Sequence, residues 1–375
     1  MKKILLPVLV IISIFMMATY SPKLSQGLKG KARFPQEFVQ GEVIKVLKED
    51  LMKDPVVAGK FRGSQTLEVR ILEGKYKNEE FVVYNSLSAL HNVYADQGLK
   101  AIFTVKEEGA KPTVWLYNLR RDRSIYLLGA IFIGAVVLLG KMKGVKSLLA
   151  LAFTGSVIIY VLLPLLFKGV DPISTSILLS SIIIVVSFLL IGGYDRKTYS
   201  AIIGTICGIT IAGLISFGFG KIMKLSGLNL SEGQQLLYIT RDFRLQIEGL
   251  LFVSILIASL GAVMDVAMSI SSSVNEIYQH KSSLTRKELF QSAMEIGKDI
   301  VGTMINTLIL AFAGGSLPLM MMIWGYGMVY QQFINIPAIA IEIVNALAGS
   351  IGIIATVPVT AVVSILLIKR KGEEY

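Results

Sequence analysis

Residues 249–277 read GLLFVSILIASLGAVMDVAMSISSSVNEI. From Gly249 to Met264 the stretch carries no charge. As a helix rising about 1.5 Å per residue, that run covers roughly 24 Å. A hydrocarbon layer is about 30 Å thick, so Asp265 falls near one boundary of a span. An aspartate at mid-span costs about 2.5–3.5 kcal/mol on insertion scales. Nearer the edge it costs less, because water and the headgroups come within reach. The stretch therefore reads as a membrane-spanning helix with one polar face, and it sets the class of the whole chain.

Composition agrees. The 375 residues are 53% hydrophobic and 17% charged, against about 25% charged in soluble domains. The net charge of +11 would point to nucleic acid in a soluble protein. Here Lys and Arg gather in short loops between apolar runs, where they act as topology signals, and no nucleic-acid partner is expected. With one cysteine, Cys207, and two histidines, His91 and His280, an internal disulfide is impossible. A His/Cys metal site is not expected, and neither is a cofactor.

Eight spans are expected. The first, MKKILLPVLVIISIFMMATY (1–20), reads as an uncleaved anchor in preference to a signal peptide. The others lie near 125–140, 147–167, 174–192, 201–219, 249–270, 300–323 and 346–368. The basic turns KMKGVK and YDRK, the stretch 281–299 and the tail KRKGEEY alternate to one side, which the positive-inside rule makes cytoplasmic. Both termini then lie in the cytoplasm and residues 21–123 outside it. In that exported segment GEVIKVLKED, QTLEVRILEG, EEFVVYNSL, KAIFTVKEE and TVWLYNL alternate with period two. They predict a small all-β domain, an OB-like barrel or a sandwich. Residues 124–220 form two hairpins. Gly140, Ser147, Gly155 and Lys168 recur in them as Gly193, Ser200, Gly208 and Lys221. Residues 221–248 form an outer loop. Spans six to eight occupy 249–375, with a cytoplasmic amphipathic segment at 278–299 that opens on a capping box, Thr285 with Glu288.

Helical spacing collects the candidate site. Asp265, Ser269 and Glu276 share one face with Gly261. Asp299, Thr303 and Asn306 share one face of the next span, and Asn345 begins a stripe with Gly349, Gly352 and Thr356. The expectation is that these stripes face one another inside the bundle as a polar pathway. As simple packing glue they would contribute about 0.6 kcal/mol per hydrogen bond. Gly314, Gly315 and Pro318 in AFAGGSLPLM predict a helix break, a candidate gate. No zincin, Walker, GxSxG or dinucleotide motif is present, so an enzyme is not expected.

Several blocks carry a resemblance: GAVMDVAMSISSSVNEI, RKELFQSAMEIGKDIVGTMINTLILAFAGGSLPL and GSIGIIATVPVT, with EGKYKNEEFVVYNSLS and GYDRKTYSAIIGT upstream. The chain resembles the YibE/F family of bacterial membrane proteins. The resemblance implies a multi-pass plasma-membrane protein, and it assigns no catalytic or ligand residues. The family pattern often has Ala where this chain has Ser272 or Ser273, and Gly-Met in place of Ala293-Met294. That argues against an indispensable hydroxyl at those positions.

Two functions fit these features. One is a transporter or permease for a small solute or ion, with Asp265 as charge partner or proton relay. The other is a non-transporting envelope protein, whose β-domain binds an extracytoplasmic protein or a cell-wall partner. In both, the lipid bilayer surrounds the helices.

Overall fold

The computed structural model describes residues 2–24, 36–108, 111–230, 233, 235, 236 and 244–368. Two compact units result: residues 30–135, and residues 1–29 together with 136–375.

The first unit is one antiparallel sheet of β1 (Gln36–Lys53), β2 (Phe61–Ile71), β3 (Glu80–Leu87), β4 (Lys100–Glu108) and β5 (Lys111–Leu119). The strand order is β3-β2-β1-β4-β5. Each alternating segment read from the sequence lies on one of these strands. Alternation sends Val69, Ile71, Val83, Ala101 and Phe103 to a closed apolar interior. The long β1 carries irregularities between Val43 and Lys45 and between Val46 and Lys48. Such bulges tighten the twist of a strand and bend it. The sheet curls until β3 and β5 approach each other. It is a half-barrel, and the two-sheet sandwich is excluded. Inside it, the Gln65 amide donates to Glu49 Oε1 at 2.6 Å and to the Ala95 carbonyl at 3.0 Å. Between β1 and β2, Asp54 accepts from the Val56 and Val57 amides at 2.8 and 2.9 Å and pairs with Arg62 at 2.6 Å.

The second unit is helical. Its elements are α1 (Lys2–Leu24), α2 (Asp122–Val157, which belongs to this unit from residue 136 onward and leads through a π-turn at Ile158–Leu162), α3 (Leu163–Phe167), α4 (Pro172–Gly192), α5 (Arg196–Ile222), α6 (Leu250–His280), α7 (Arg286–Gly315), α8 (Leu317–Gly325), α9 (Tyr330–Phe333) and α10 (Pro337–Leu367). Seven helical runs among the described residues are long and apolar enough to cross a membrane. The longest, Asp122–Phe167, has 46 residues and is two helices folded at Lys141, whose φ of 46° and ψ of −129° break the helical path. A side chain on Gly144 would collide with the Val136 carbonyl. In a straight helix those residues stand about 12 Å apart, so the chain has reversed. The two spans expected at 125–140 and 147–167 are both contained in this run.

Local chemistry sets the helix ends. Asp171 accepts from the Ser174 amide at 2.8 Å, with Pro172 in the first turn of α4, and Gly193 (φ 77°) closes that helix. The capping box at the start of α7 is present: the Glu288 amide donates to Thr285 Oγ1 at 3.2 Å and the Thr285 amide to Glu288 Oε2 at 2.8 Å. From that box α7 runs unbroken to Gly315, with Leu289, Ala293 and Gly297 buried. The stretch expected to lie along the inner leaflet instead packs its apolar side into the bundle, where a side chain on Gly297 would strike Val357. The centre of the unit is α10, which lies against α5, α6 and α7.

Candidate functional site

The α5–α10 contact rests on small residues. Gly204, Gly208 and Ala212 recur every four positions, so they share one face of α5. A side chain on Gly204 would collide with Thr360, and one on Gly208 with Thr356. On the other side of the seam, a Cβ on Gly352 would meet the Ala212 Cβ at 2.8 Å. These pairs fix the helices as antiparallel. Arg196 Nη1, which donates to the Leu367 carbonyl at 3.2 Å, marks one end. Small residues at this spacing bring two backbones close together.

Polar groups line this contact. A serine or threonine in a helix ordinarily returns its hydroxyl to a carbonyl three or four residues back. Ser200 (3.0 Å to Arg196 O), Ser259 (2.8 Å to Ile255 O), Ser350 (2.6 Å to Ala346 O) and Thr356 (2.7 Å to Gly352 O) do so. Others do not. Thr198, Thr205 and Ser216 on α5, with Thr360 and Ser364 on α10, hold buried hydroxyls without a hydrogen-bond partner, and so does Asn345 Oδ1. Unpartnered buried polar atoms are uncommon, and each carries a cost of about 1–3 kcal/mol. Six of them lie on α5 and α10 and make a polar seam, with Thr360 against α5 at Gly204 and Thr198 turned to Gly192 of α4.

At the end of the bundle away from Arg196, the seam meets two cavities. Ser216 lines one of about 430 Å³, together with the charged residues Asp171, Lys221, Lys224 and Glu248. The other, of about 670 Å³, is apolar and is walled by Phe312, Met320, Trp324 and Phe333, with the Glu342 carboxylate and Ser316 as its polar groups. Glu342 stands one turn before Asn345 on α10, and Ser316 lines the same cavity. Ser316 occupies the joint where α7 ends at Gly315 and α8 begins at Leu317. The joint lies among Gly314, Gly315 and Pro318, and it puts Ser316 in the lining that Glu342 shares. A smaller space of about 260 Å³ on the other side of this joint shares Ser316, Leu319 and Glu342.

The expected polar pathway needs correction. Asp265, Ser269 and Glu276 are exposed on α6, and Asp299, Thr303 and Asn306 are exposed on α7. On α6 the packed face belongs to Val263, Ala267, Ile270 and Val274, each 0% exposed. On α7 it belongs to Leu289, Ala293, Gly297 and Leu308. Spacing of two residues is about 200° on a helix, so Asp299 points away from the side that holds Gly297. The stripes are real faces, but they turn outward. Their hydroxyls are met locally, with Thr303 Oγ1 donating to the Ile300 carbonyl at 2.9 Å. Of the predicted pathway residues only Asn345, with Gly349, Gly352 and Thr356 behind it, lies inside.

Two elements escaped the sequence reading. Glu342 lay outside a last span drawn from residue 346, whereas α10 begins at Pro337. The signal was a carboxylate three residues before an asparagine in an otherwise apolar helix. On α5 the signal was the four-residue spacing Ser200, Gly204, Gly208, Ala212, Ser216. Among the described residues no cluster of His, Cys, Asp and Glu could hold a metal ion.

This arrangement defines a class: a bundle of long apolar helices with a buried polar seam, in a chain that also carries a separate small β half-barrel. Helices of this length and composition suggest a membrane protein. Residues 128–370 match the family model described as YibE/F-like protein, and the chain belongs to that family. The match runs from within α2 to the end of α10, leaves out α1, and begins beyond β5. No curated protein and no solved structure matches the chain.

Proposed function

We propose that this protein is a bacterial plasma-membrane transporter for a small solute or ion, with the α5–α10 seam as its hydrated route and Glu342 as the ionisable group at its outer end. The supporting observation is the six unpartnered buried oxygens spread along α5 and α10, from Thr198 and Ser364 near one end to Ser216 and Asn345 near the other. A packed membrane bundle gains nothing from such atoms unless water or an ion visits them. The basic turns at 141–146 and 194–197 support a cytoplasmic Arg196 end. Glu342 and the cavity beside Ser216 then open outward, and the β half-barrel is exported. The gate is the joint at Ser316, which a small rotation of α8 would pull away from Glu342.

Cysteine accessibility tests this reading. In a Cys207→Ala background, single cysteines replace Ser216, Thr205 and Thr360. A small charged methanethiosulfonate is added from each side of the membrane. Labelling of Ser216→Cys from outside and Thr360→Cys from inside is expected. Silence at all three, with a reactive Tyr194→Cys control, would mean a dry seam. The β half-barrel would then be the working part and its surface partner the object to find.

A further inference from the structure

We infer that the 670 Å³ cavity between α7, α8 and α10 is a binding site for a lipophilic monovalent cation, with Glu342 as its counter-charge. The inference deepens the transport reading and rests on it for the onward path alone.

The lining decides the ligand class. Apart from Glu342 and Ser316 it is built of aliphatic, aromatic and methionine side chains, with no Lys, Arg or His. A space of this size holds a drug-sized molecule. Its apolar walls select an apolar body. One carboxylate selects one positive charge, since a second would stay unpaired in a low-dielectric wall. Among the described residues no Lys, Arg or His forms an ion pair with Glu342 or lines the cavity. A cationic ligand would supply that charge. Phe312, Trp324 and Phe333 add aromatic side chains to the lining, and an aromatic ring attracts a cation to its face. Methionine at Met320 and Met328 supplies adaptable contact surface, as in sites that accept several shapes.

The position of the carboxylate links this site to the seam. Glu342 lines the cavity and stands one helical turn from Asn345, whose Oδ1 is the last unpartnered atom of the seam. The seam itself is closed to a large ion, because Gly204 and Gly208 leave no room beside Thr360 and Thr356. The large cation stays in the cavity, and only a proton is small enough to pass on from Glu342. Binding of the cation and protonation of Glu342 are then mutually exclusive.

The test uses ions of one shape and opposite charge. The full chain, purified in detergent, is dialysed against tetraphenylphosphonium, tetraphenylborate or neutral triphenylphosphine oxide. Saturable binding of tetraphenylphosphonium is expected, and none of tetraphenylborate. Glu342→Gln should weaken tetraphenylphosphonium by roughly 30-fold or more, as removing one partner of a desolvated charge pair does. The same substitution should leave triphenylphosphine oxide unchanged. Ala313→Trp fills the apolar wall and keeps the carboxylate, so it should also abolish tetraphenylphosphonium binding and covers the case in which Glu342→Gln fails to fold. Equal binding of both ions, or wild-type affinity in Glu342→Gln and Ala313→Trp, overturns the inference. Because dialysis reads binding without flux, a dry seam in the cysteine experiment and an empty cavity here are separate failures.

Discussion

Adding one methyl group at Gly208 measures how closely α5 and α10 approach. In Gly208→Ala the new Cβ would collide with Thr356 Oγ1 and stand 3.0 Å from both the Gly352 carbonyl oxygen and Val263 Cγ1. Thr356 is fully buried and its hydroxyl donates to Gly352 O at 2.7 Å, so it cannot simply swing away. Overpacking of a filled core costs about 1–3 kcal/mol. Displacing the Thr356 hydroxyl loses a hydrogen bond of about 0.5–1.5 kcal/mol. Alanine returns about 1 kcal/mol of helix propensity over glycine. The net expectation is a destabilisation of about 1–3 kcal/mol. Gly155→Ala is the control, since nothing lies within 4 Å of its Cβ position; it should be neutral or stabilising by up to about 1 kcal/mol. The assay is thermal unfolding of the purified chain in one detergent, read together with elution as a single species. The pair Gly208→Ala and Thr356→Ala should couple, the double variant recovering at least about 1 kcal/mol relative to the sum of the singles. Equal unfolding midpoints for Gly208→Ala and Gly155→Ala would refute the close crossing, and with it the placement of the seam.

Other outcomes follow from single residues. Thr205→Val keeps the shape and deletes an unpartnered buried hydroxyl, so the unfolding midpoint should hold or rise while proton flux into proteoliposomes falls; a lower midpoint with unchanged flux would contradict the seam's role. In the β half-barrel, the hydrogen bond from Arg62, helped by the Val57 and Val56 amides, lowers the Asp54 carboxyl to about 2. A depressed carboxylate stabilises the fold above its unfolded pKa, and that stabilisation fades as pH falls from about 4 towards 2. Acid unfolding of the wild type, followed by Trp115 fluorescence, should be steeper over that window than unfolding of Asp54→Asn. Lys141 sits at φ 46° and ψ −129°, a region that disfavours side chains by about 1–3 kcal/mol. Lys141→Gly should raise the unfolding midpoint, and Lys141→Val should lower it.

Most of the secondary structure was legible in the sequence, and for a clear reason. Period-two alternation put all five strands in place, because one face of each had to enter the interior that Leu67, Val83 and Phe103 fill. Apolar length located the helices, because no other element satisfies its backbone in hydrocarbon. The capping box at Thr285 and the break at Gly314–Pro318 are local chemistry, fixed by neighbours within four residues. The direction of each polar stripe was different. Spacing showed that Asp265 and Ser269 share a face, and that Thr303 and Asn306 share another. It could not show which neighbour that face would meet. On α6 and α7 the alanine, glycine and β-branched sides packed inward, since they let helices approach closely, and the acidic sides were left outside. Glycines on α5 drew α10 against it, and that crossing buried Thr205, Ser216 and Thr360. Glu342 became part of a site only when the α7–α8 joint brought Ser316 beside it from 26 residues back along the chain. Periodicity is a property of one helix. A seam or a cavity belongs to several, and its position depends on which small residues let their backbones touch.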